Sequence, residues 1–208
     1  MDFLPLTELE VRVLGTLMEK QVTTPDLYPL SLNSLTNACN QKNSRQPVSS
    51  YSEREVEGAL ETLRLKNLAG FVREPGGRVQ KYQHYMAREL YLKPDEHAVL
   101  CVLMLRGAQT VGELRGRCEP LHKFSDLGSV EAVLERFASR EMVVRLERGA
   151  GERDHRWTHL LTGTPVLPNT SESPARTAGS SDVISRLEAL EAEILALRAE
   201  LEQVKNKL

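Results

Sequence analysis

An internal repeat constrains the fold of this chain more than any other feature, because two copies of one unit must share one architecture. Residues 13–18, VLGTLM, match residues 99–104, VLCVLM, at an offset of 86 positions. Further along, residues 56–61, VEGALE, match residues 130–135, VEAVLE, at an offset of 74. The first copy is therefore expected to carry about twelve extra residues in a single surface connection. In this alignment Thr24 falls opposite Thr110.

Each copy is predicted to contain three helices followed by a β-hairpin. Capping-box pairs, in which Ser or Thr precedes Glu by three positions, mark three helix starts: Thr7 and Glu10, Ser52 and Glu55, and Thr110 and Glu113. Apolar residues recur at helical spacing after these pairs and at strand spacing after Asn67. The other predicted helices cover 31–42, 94–106 and 126–140, and the predicted strands cover 69–74, 78–85, 143–148 and 154–161. Periodicity assigns five side chains to the core: Phe71, Leu100, Leu103, Leu134 and Phe137.

These features together resemble a known family. The stretch Asn40 to Val48, NQKNSRQPV, the pair Ser52 and Glu55, and the repeated Val-Leu-x-x-Leu-Met are similar to the YceH-like family of uncharacterised bacterial proteins. The resemblance covers roughly residues 5 to 161 and implies a pair of winged-helix domains, with no established activity. We expect a mainly α fold with small β-hairpins (α+β), built from tandem winged-helix (helix-turn-helix) domains over 1–91 and 92–161.

The last 47 residues have a different composition. Residues 162–181 are rich in Ser, Thr, Pro and Gly, which is typical of a flexible linker. Residues 182–208 carry apolar side chains at alternating steps of four and three, the pattern of a coiled coil. The predicted dimerisation residues are Leu187, Leu190, Ile194, Leu197, Leu201 and Val204, with Val183 and Leu208 continuing the seam.

Charges beside this seam favour a parallel homodimer. In a parallel pair Arg186 faces Glu191 and Glu193 faces Arg198, all opposite in sign. An antiparallel pair in matched register would place Glu193 against its own copy. The alternative is a single amphipathic helix that packs on the domains of its own chain. The seam favours two strands over three only weakly.

Composition and motifs point away from catalysis and from membranes. The chain has no long apolar run and no secretory signal, so it is predicted to be cytoplasmic, without a membrane partner. The closest metal-ligand pairs are Cys118 with His122 and His155 with His159. The second pair is about 13 Å apart along a predicted strand, too far to share one ion. We therefore expect no enzyme activity, no catalytic residue, no metal site and no cofactor.

Winged helices most often bind nucleic acid, which requires local positive charge. Each predicted domain holds 11 basic and 11 acidic side chains, so neither is basic overall. Both third helices are acidic, and Glu57 and Glu61 are expected on an outward face. Positive character is instead predicted in the segment after Leu27, which contains no acidic residue up to Ser52, and in the two hairpins.

The leading hypothesis is a nucleic-acid (DNA) binding protein, for example a transcriptional regulator, that uses these basic segments. Its candidate nucleic-acid contacts are Asn40, Gln41, Lys42, Asn43, Arg45, Arg54, Arg73, Arg78, Lys81, Arg145, Arg148, Arg153 and Arg156. The alternative is a protein–protein interaction scaffold without DNA binding, which the near-neutral domains and acidic third helices favour. Tyr82 and Trp157, at similar places in the last strands, are expected to pack structurally.

Overall fold

A computed structural model describes residues 5–72, 79–149 and 151–164 of the 208-residue chain. All of these residues belong to one compact unit, Met1–Val166. The fold of this part is mixed, with helices packed beside two small antiparallel sheets. Among the described residues, no helix combines the length and the apolar character that crossing a membrane requires. The predicted coiled-coil seam lies outside the described residues.

The first copy begins with a long helix and ends with a hairpin. Its elements, in chain order, are α1 (Glu8–Thr23), a 3-10 turn (Pro25–Leu27), β1 (Leu30–Ser31), α2 (Leu32–Cys39), α3 (Glu53–Leu65), β2 (Ala69–Val72) and β3 (Lys81–His84). A one-turn helix, α4 (Met86–Glu89), leads to the second copy. That copy contains α5 (Pro94–Arg106), β4 (Gln109–Thr110), α6 (Val111–Cys118), α7 (Leu127–Ser139), β5 (Val143–Arg145) and β6 (Arg156–His159).

Two short strands absent from the sequence prediction complete the sheets. β1 pairs with β3, and β4 pairs with β6, so each copy has a three-stranded antiparallel sheet with its last strand in the middle. These strands also correct the alignment of the repeat. Ser31 and Thr110, 79 positions apart, each end the first strand and cap the second helix, so Thr110 matches Ser31 and not Thr24.

The extra residues of the first copy are therefore divided between two places. The offset falls from 86 to 79 between α1 and β1, where α1 is longer and the 3-10 turn follows it. It falls again, from 79 to 74, in the connection between α2 and α3. The prediction of one connection was wrong because the sequence blocks that define the offsets lie outside both insertions.

Local hydrogen bonds explain where the helices begin and end. All three predicted capping boxes are confirmed, with the hydroxyl of Thr7, Ser52 or Thr110 accepting from the backbone of the Glu three residues later. Asn67 and Glu141, at equivalent positions, adopt φ of 58° and 54° just after the third helices. The next N–H in each copy bonds back five residues, which closes a Schellman motif and directs the chain into the hairpin.

The two copies pack through their first helices, α1 and α5. Gly15 and Cys101 are equivalent residues, and the Cys101 thiol contacts the Gly15 carbonyl oxygen at 3.4 Å. Gly15 also lies against Leu105, while Glu19, the equivalent of Leu105, lines one small cavity with Cys101. Each of these contacts from α1 to α5 thus has a counterpart from the equivalent residue of α5 to α1. Such reciprocal contacts indicate an approximate twofold relation between the copies.

An ion pair at the same place in each copy attaches the third helix to the first. The Lys66 ammonium donates to both carboxylate oxygens of buried Glu10, at 2.9 and 3.0 Å. The equivalent carboxylate in the second copy, Glu96, accepts from Arg136 at 3.0 Å. Burial raises the pKa of Glu10, but hydrogen bonds from Lys66 and its neighbours outweigh burial and leave it below its usual value.

Four of the five predicted core side chains are buried, namely Leu100, Leu103, Leu134 and Phe137. Phe71 is the exception, with 49% of its surface exposed. Its strand, β2, is at the edge of the sheet. Phe71 lines an open groove between this edge and α3, so the helix does not cover its ring completely. Strand alternation alone could not distinguish this open side from a covered one.

Candidate interaction surface

Arg45, a predicted nucleic-acid contact, is buried inside the protein. Its guanidinium donates to both carboxylate oxygens of Glu19, at 3.0 and 2.7 Å, and to the carbonyl oxygen of Ala38 at 3.2 and 2.9 Å. Its side chain has no exposed area. Arg45 therefore cannot reach a partner without unfolding of this region, and its role here is structural.

The rest of the segment 40–48 makes bonds both within the first copy and to the second. The Asn40 amide donates to the Tyr51 carbonyl oxygen at 2.7 Å and accepts from the Tyr51 N–H at 2.8 Å. The Gln46 N–H donates to the Leu105 carbonyl oxygen at 2.9 Å, and Arg106 donates to the Ser44 hydroxyl at 2.6 Å. These bonds place the connection between α2 and α3 against the end of α5.

Few polar groups of this segment remain available to a partner. The Gln41 amide oxygen accepts from Lys20 at 3.2 Å. Lys42 and Asn43 are exposed, and so is Arg54 in the first turn of α3. Most of the amide and guanidinium groups that suggested phosphate binding thus form hydrogen bonds within the fold. These internal contacts could not be predicted from the sequence alone.

The predicted hairpin cations are in different situations. Arg73 and Arg78 lie outside the described residues, and Lys81 is half-buried on β3. Arg145, Arg148 and Arg153 are exposed in the second copy. Arg156, on β6, is half-buried and donates to Glu113 at 2.7 Å and to Glu152 at 3.2 Å. The exposed cations of the second hairpin are therefore the three arginines that precede Arg156.

Most cations of the third helices are occupied by carboxylates of the first helices. Lys66 pairs with Glu10, and Arg136 pairs with Asp95 and Glu96. Arg140 forms an ion pair with Glu96 at 3.9 Å and donates to the Leu90 carbonyl oxygen at 2.6 Å. The third helices consequently present less positive charge than a count along the sequence suggests.

The carboxylates on the outer faces of these helices have no such partners. Glu57 and Glu61 are exposed, as predicted, and so are Glu131 and Glu135 at the equivalent positions of α7. Within the described part of the chain none of the four accepts a hydrogen bond or forms an ion pair. Each pair is separated by one helical turn, so both carboxylates extend from one face.

A groove separates the third helix from the sheet in the first copy. We call it the first groove; its volume is about 430 Å³, and its lining includes Glu57, Glu61, Arg64, Phe71, Gln80 and Tyr82. Phe71 and Tyr82 are paired across the neighbouring strands. Partial burial raises the pKa of the Tyr82 phenol, and the charges of Glu57 and Glu61 raise it further. The two carboxylates and the ring line the same groove.

The second copy has a groove at the same place. This second groove has a volume of about 450 Å³ and is lined by Glu131, Glu135, Arg145, Arg153, Asp154 and Trp157, among others. Arg145 and Trp157 are paired across the strands, as Phe71 and Tyr82 are in the first copy. Tyr82 and Trp157 do pack against the core, as predicted, but each also lines a groove, which their strand position alone did not indicate.

The cysteines and histidines do not form a metal site in the described ranges, where no group of three suitable ligands occurs. Burial raises the pKa of all three thiols, that of Cys118 to about 12, so they are protonated and unreactive at neutral pH. The His155 ring bonds to the Leu146 carbonyl oxygen at 3.0 Å. His159 is buried on β6.

Comparison with known proteins places the chain among uncharacterised bacterial proteins. Residues 6–152 match the family described as "Protein of unknown function, DUF480". A UPF0502 protein of Dechloromonas aromatica (strain RCB) is 48% identical over 201 residues, which cover 93% of each chain. The UPF0502 protein YceH of Salmonella paratyphi C (strain RKS4594) is 44% identical over 206 residues, covering 96% of this chain and 95% of the relative. The chain therefore belongs to the DUF480 (UPF0502) family, which includes proteins named YceH.

Proposed function

We propose that this chain is a tandem winged-helix scaffold that docks on other proteins through the outer faces of its third helices. The element order supports the winged-helix assignment. Each copy runs helix, strand, helix, helix, strand, strand, with the third helix beside a hairpin that corresponds to the wing. Strands β2 and β3 form the first wing, and β5 and β6 form the second.

The unpaired carboxylates of the third helices carry this proposal. In a winged helix the third helix is the element that enters the major groove of DNA. Glu57, Glu61, Glu131 and Glu135 would meet the phosphate backbone there, and like charges repel. A protein surface can supply complementary cations, whereas DNA cannot.

Nucleic-acid binding is a second candidate, favoured by the exposed arginines of the second copy. Arg148 and Arg153 are exposed beside the turn of the second hairpin, and Arg145 is exposed on β5. Lys42 and Arg54 are exposed in the first copy. Such contacts would be to phosphates, so they would weaken steeply as salt concentration rises.

A parallel coiled coil over residues 182–208 would make the protein a homodimer with four winged-helix units. Weak contacts by each unit would then combine through a high effective concentration. A cytoplasmic location and the absence of enzyme activity remain part of this proposal. They rest on the sequence alone.

Affinity capture with matched charge-reversal variants tests the proposed function. The full chain should retain a stoichiometric protein partner after nuclease treatment, and E57K/E61K/E131K/E135K should lose it. The control E8K/E89K/E119K/E147K changes the charge equally, at exposed positions outside the grooves, and should retain the partner. Loss from both variants, or duplex DNA binding at low salt that R148Q/R153Q abolishes, would refute the scaffold in favour of nonspecific attraction or DNA.

A further inference from the structure

We propose that each groove binds a segment of a protein partner that carries a lysine or arginine, so that one chain holds two such segments. This inference rests on the proposed function, because it names the partner chemistry that the third helices would recognise. The first groove is suited to a cation followed by an apolar side chain. The second groove is suited to a cation in a more polar segment.

The charge within each groove calls for a cation. The first groove contains two unpaired carboxylates, Glu57 and Glu61, and one guanidinium, Arg64. The second groove contains three carboxylates, Glu131, Glu135 and Asp154, and two guanidinium groups, Arg145 and Arg153. The described lining of each groove therefore carries a net charge of −1. A partner cation beside the exposed helical pair would neutralise it.

The aromatic rings supply the second part of the recognition. Tyr82 in the first groove and Trp157 in the second line the wall opposite the helical carboxylates. A lysine or arginine can lie over such a ring while its charged end reaches a carboxylate. Phosphate or a carboxylate ligand would gain nothing from the rings or the helical carboxylates, so this part of each groove favours a cation.

The two grooves differ at one register position, which predicts different flanking preferences. The cross-strand neighbour of the ring is Phe71 in the first groove and Arg145 in the second. Phe71 is 49% exposed, and a small apolar side chain of the partner would cover it. Arg145 offers no such apolar surface and suits a polar or acidic neighbour.

The repetition of the arrangement separates it from a chance cluster of acidic side chains. The carboxylate pair recurs at an offset of 74, and the ring recurs 75 positions later, in both cases facing a groove of similar volume. Glutamates that served only to keep a helix surface polar would not need to lie opposite an aromatic ring in both copies.

Trp157 provides a direct measurement, because it is the only tryptophan in the chain and it lines the second groove. The probe is a capped peptide of alternating lysine and serine, titrated into the full chain at physiological salt. We expect a saturable change in Trp157 fluorescence, and about tenfold weaker binding for E131Q/E135Q. The matched control E119Q/E147Q removes the same charge outside the groove and should bind as the wild type does.

Peptide binding to the first groove is measured in the same way after the tryptophan has been moved there. In Y82W/W157F the tryptophan lies in the first groove, and a peptide of alternating lysine and alanine is the probe. Binding should weaken in E57Q/E61Q, and F71S should reduce the preference for the alanine peptide over the serine peptide. Far-UV circular dichroism establishes that each variant is folded before it is titrated.

The outcomes separate this inference from the proposed function. Equal weakening by the groove and control variants, or binding of a glutamate-containing peptide of the same length, would overturn the cation grooves. If no lysine peptide binds while groove-dependent partner capture persists, the inference fails and the scaffold stands. If capture also fails, both are wrong.

Discussion

Replacing Arg45 by methionine should destabilise the fold by about 3 to 5 kcal/mol, the usual cost of removing one partner from a buried ion pair. Methionine fills much of the same volume, so the loss is mainly electrostatic. The substitution leaves the Glu19 carboxylate, whose side chain is 13% exposed, without its two guanidinium bonds. It also leaves the Ala38 carbonyl oxygen without both of its Arg45 donors.

Urea denaturation followed by circular dichroism measures this change, and a double-mutant cycle with E19Q isolates the pair. E19Q in the R45M background should cost less than in the wild type, because Glu19 then has only the Lys20 ammonium, at 3.1 Å, as an ionic partner. The pH dependence provides a further check. Burial raises the pKa of Glu19, but the Arg45 hydrogen bonds and charge lower it more, so the pair stabilises the fold above the unfolded pKa. That contribution is lost as pH falls through the lowered pKa, and R45M should lack it. An R45M protein within about 1 kcal/mol of the wild type would show that Arg45 is not a structural residue.

Three other changes test the packing, the buried histidines and the assembly. G15L places a side chain where even a Cβ would lie 3.0 Å from Leu105, so it should lower the free energy of unfolding by about 1 to 3 kcal/mol. G58A, on the open face of α3, should raise it by up to about 1 kcal/mol. Thermal unfolding compares the two variants, and equal melting temperatures would contradict the close packing of α1 and α5. Burial lowers the pKa of His84 to about 3 and those of His97 and His159 to about 4. Below about pH 6.5 the unfolded chain therefore binds more protons than the folded chain does. The free energy of unfolding should fall as the pH is lowered from about 6.5 to about 4. H97L should make that decline shallower in urea titrations at several pH values, and an unchanged slope would be evidence against a neutral buried ring. L190P should convert a dimer to a monomer by breaking the tail helix, and light scattering that gives one mass for both proteins would exclude the coiled coil as the dimer contact.

Most helix boundaries followed closely from the sequence because capping and periodicity are local, although the helix predicted over 31–42 ends at Cys39. The prediction over 94–106 coincides with α5, Pro94–Arg106. The helix predicted over 126–140 differs from α7 by one cap residue at each end, Asp126 and Arg140, and Ser52 is the cap that precedes α3. The two-residue strands β1 and β4 were missed because they exist only through pairing with β3 and β6. Strands this short carry no periodicity of their own.

The interaction surface was harder to predict because exposure and pairing are tertiary properties. The residue types in the segment 40–48 suit both phosphate binding and internal capping, and only the positions of Glu19 and Ala38 decide for Arg45. Glu57 and Glu61 could be placed on an outer face from helical periodicity. The groove they line also depends on how the hairpin turns back beside α3, which no local pattern specifies.

The contact between Gly15 and Cys101 means that one polypeptide contains what resembles a dimer of two halves. In a true homodimer every mutation changes both subunits, because one gene encodes both. Fusion removes that restriction, so each half can evolve separately while the shared crossing preserves their geometry. Phe71 in one half and Arg145 in the other are a difference of this kind, and under the proposed groove binding it would let a single chain discriminate between two unlike ligands.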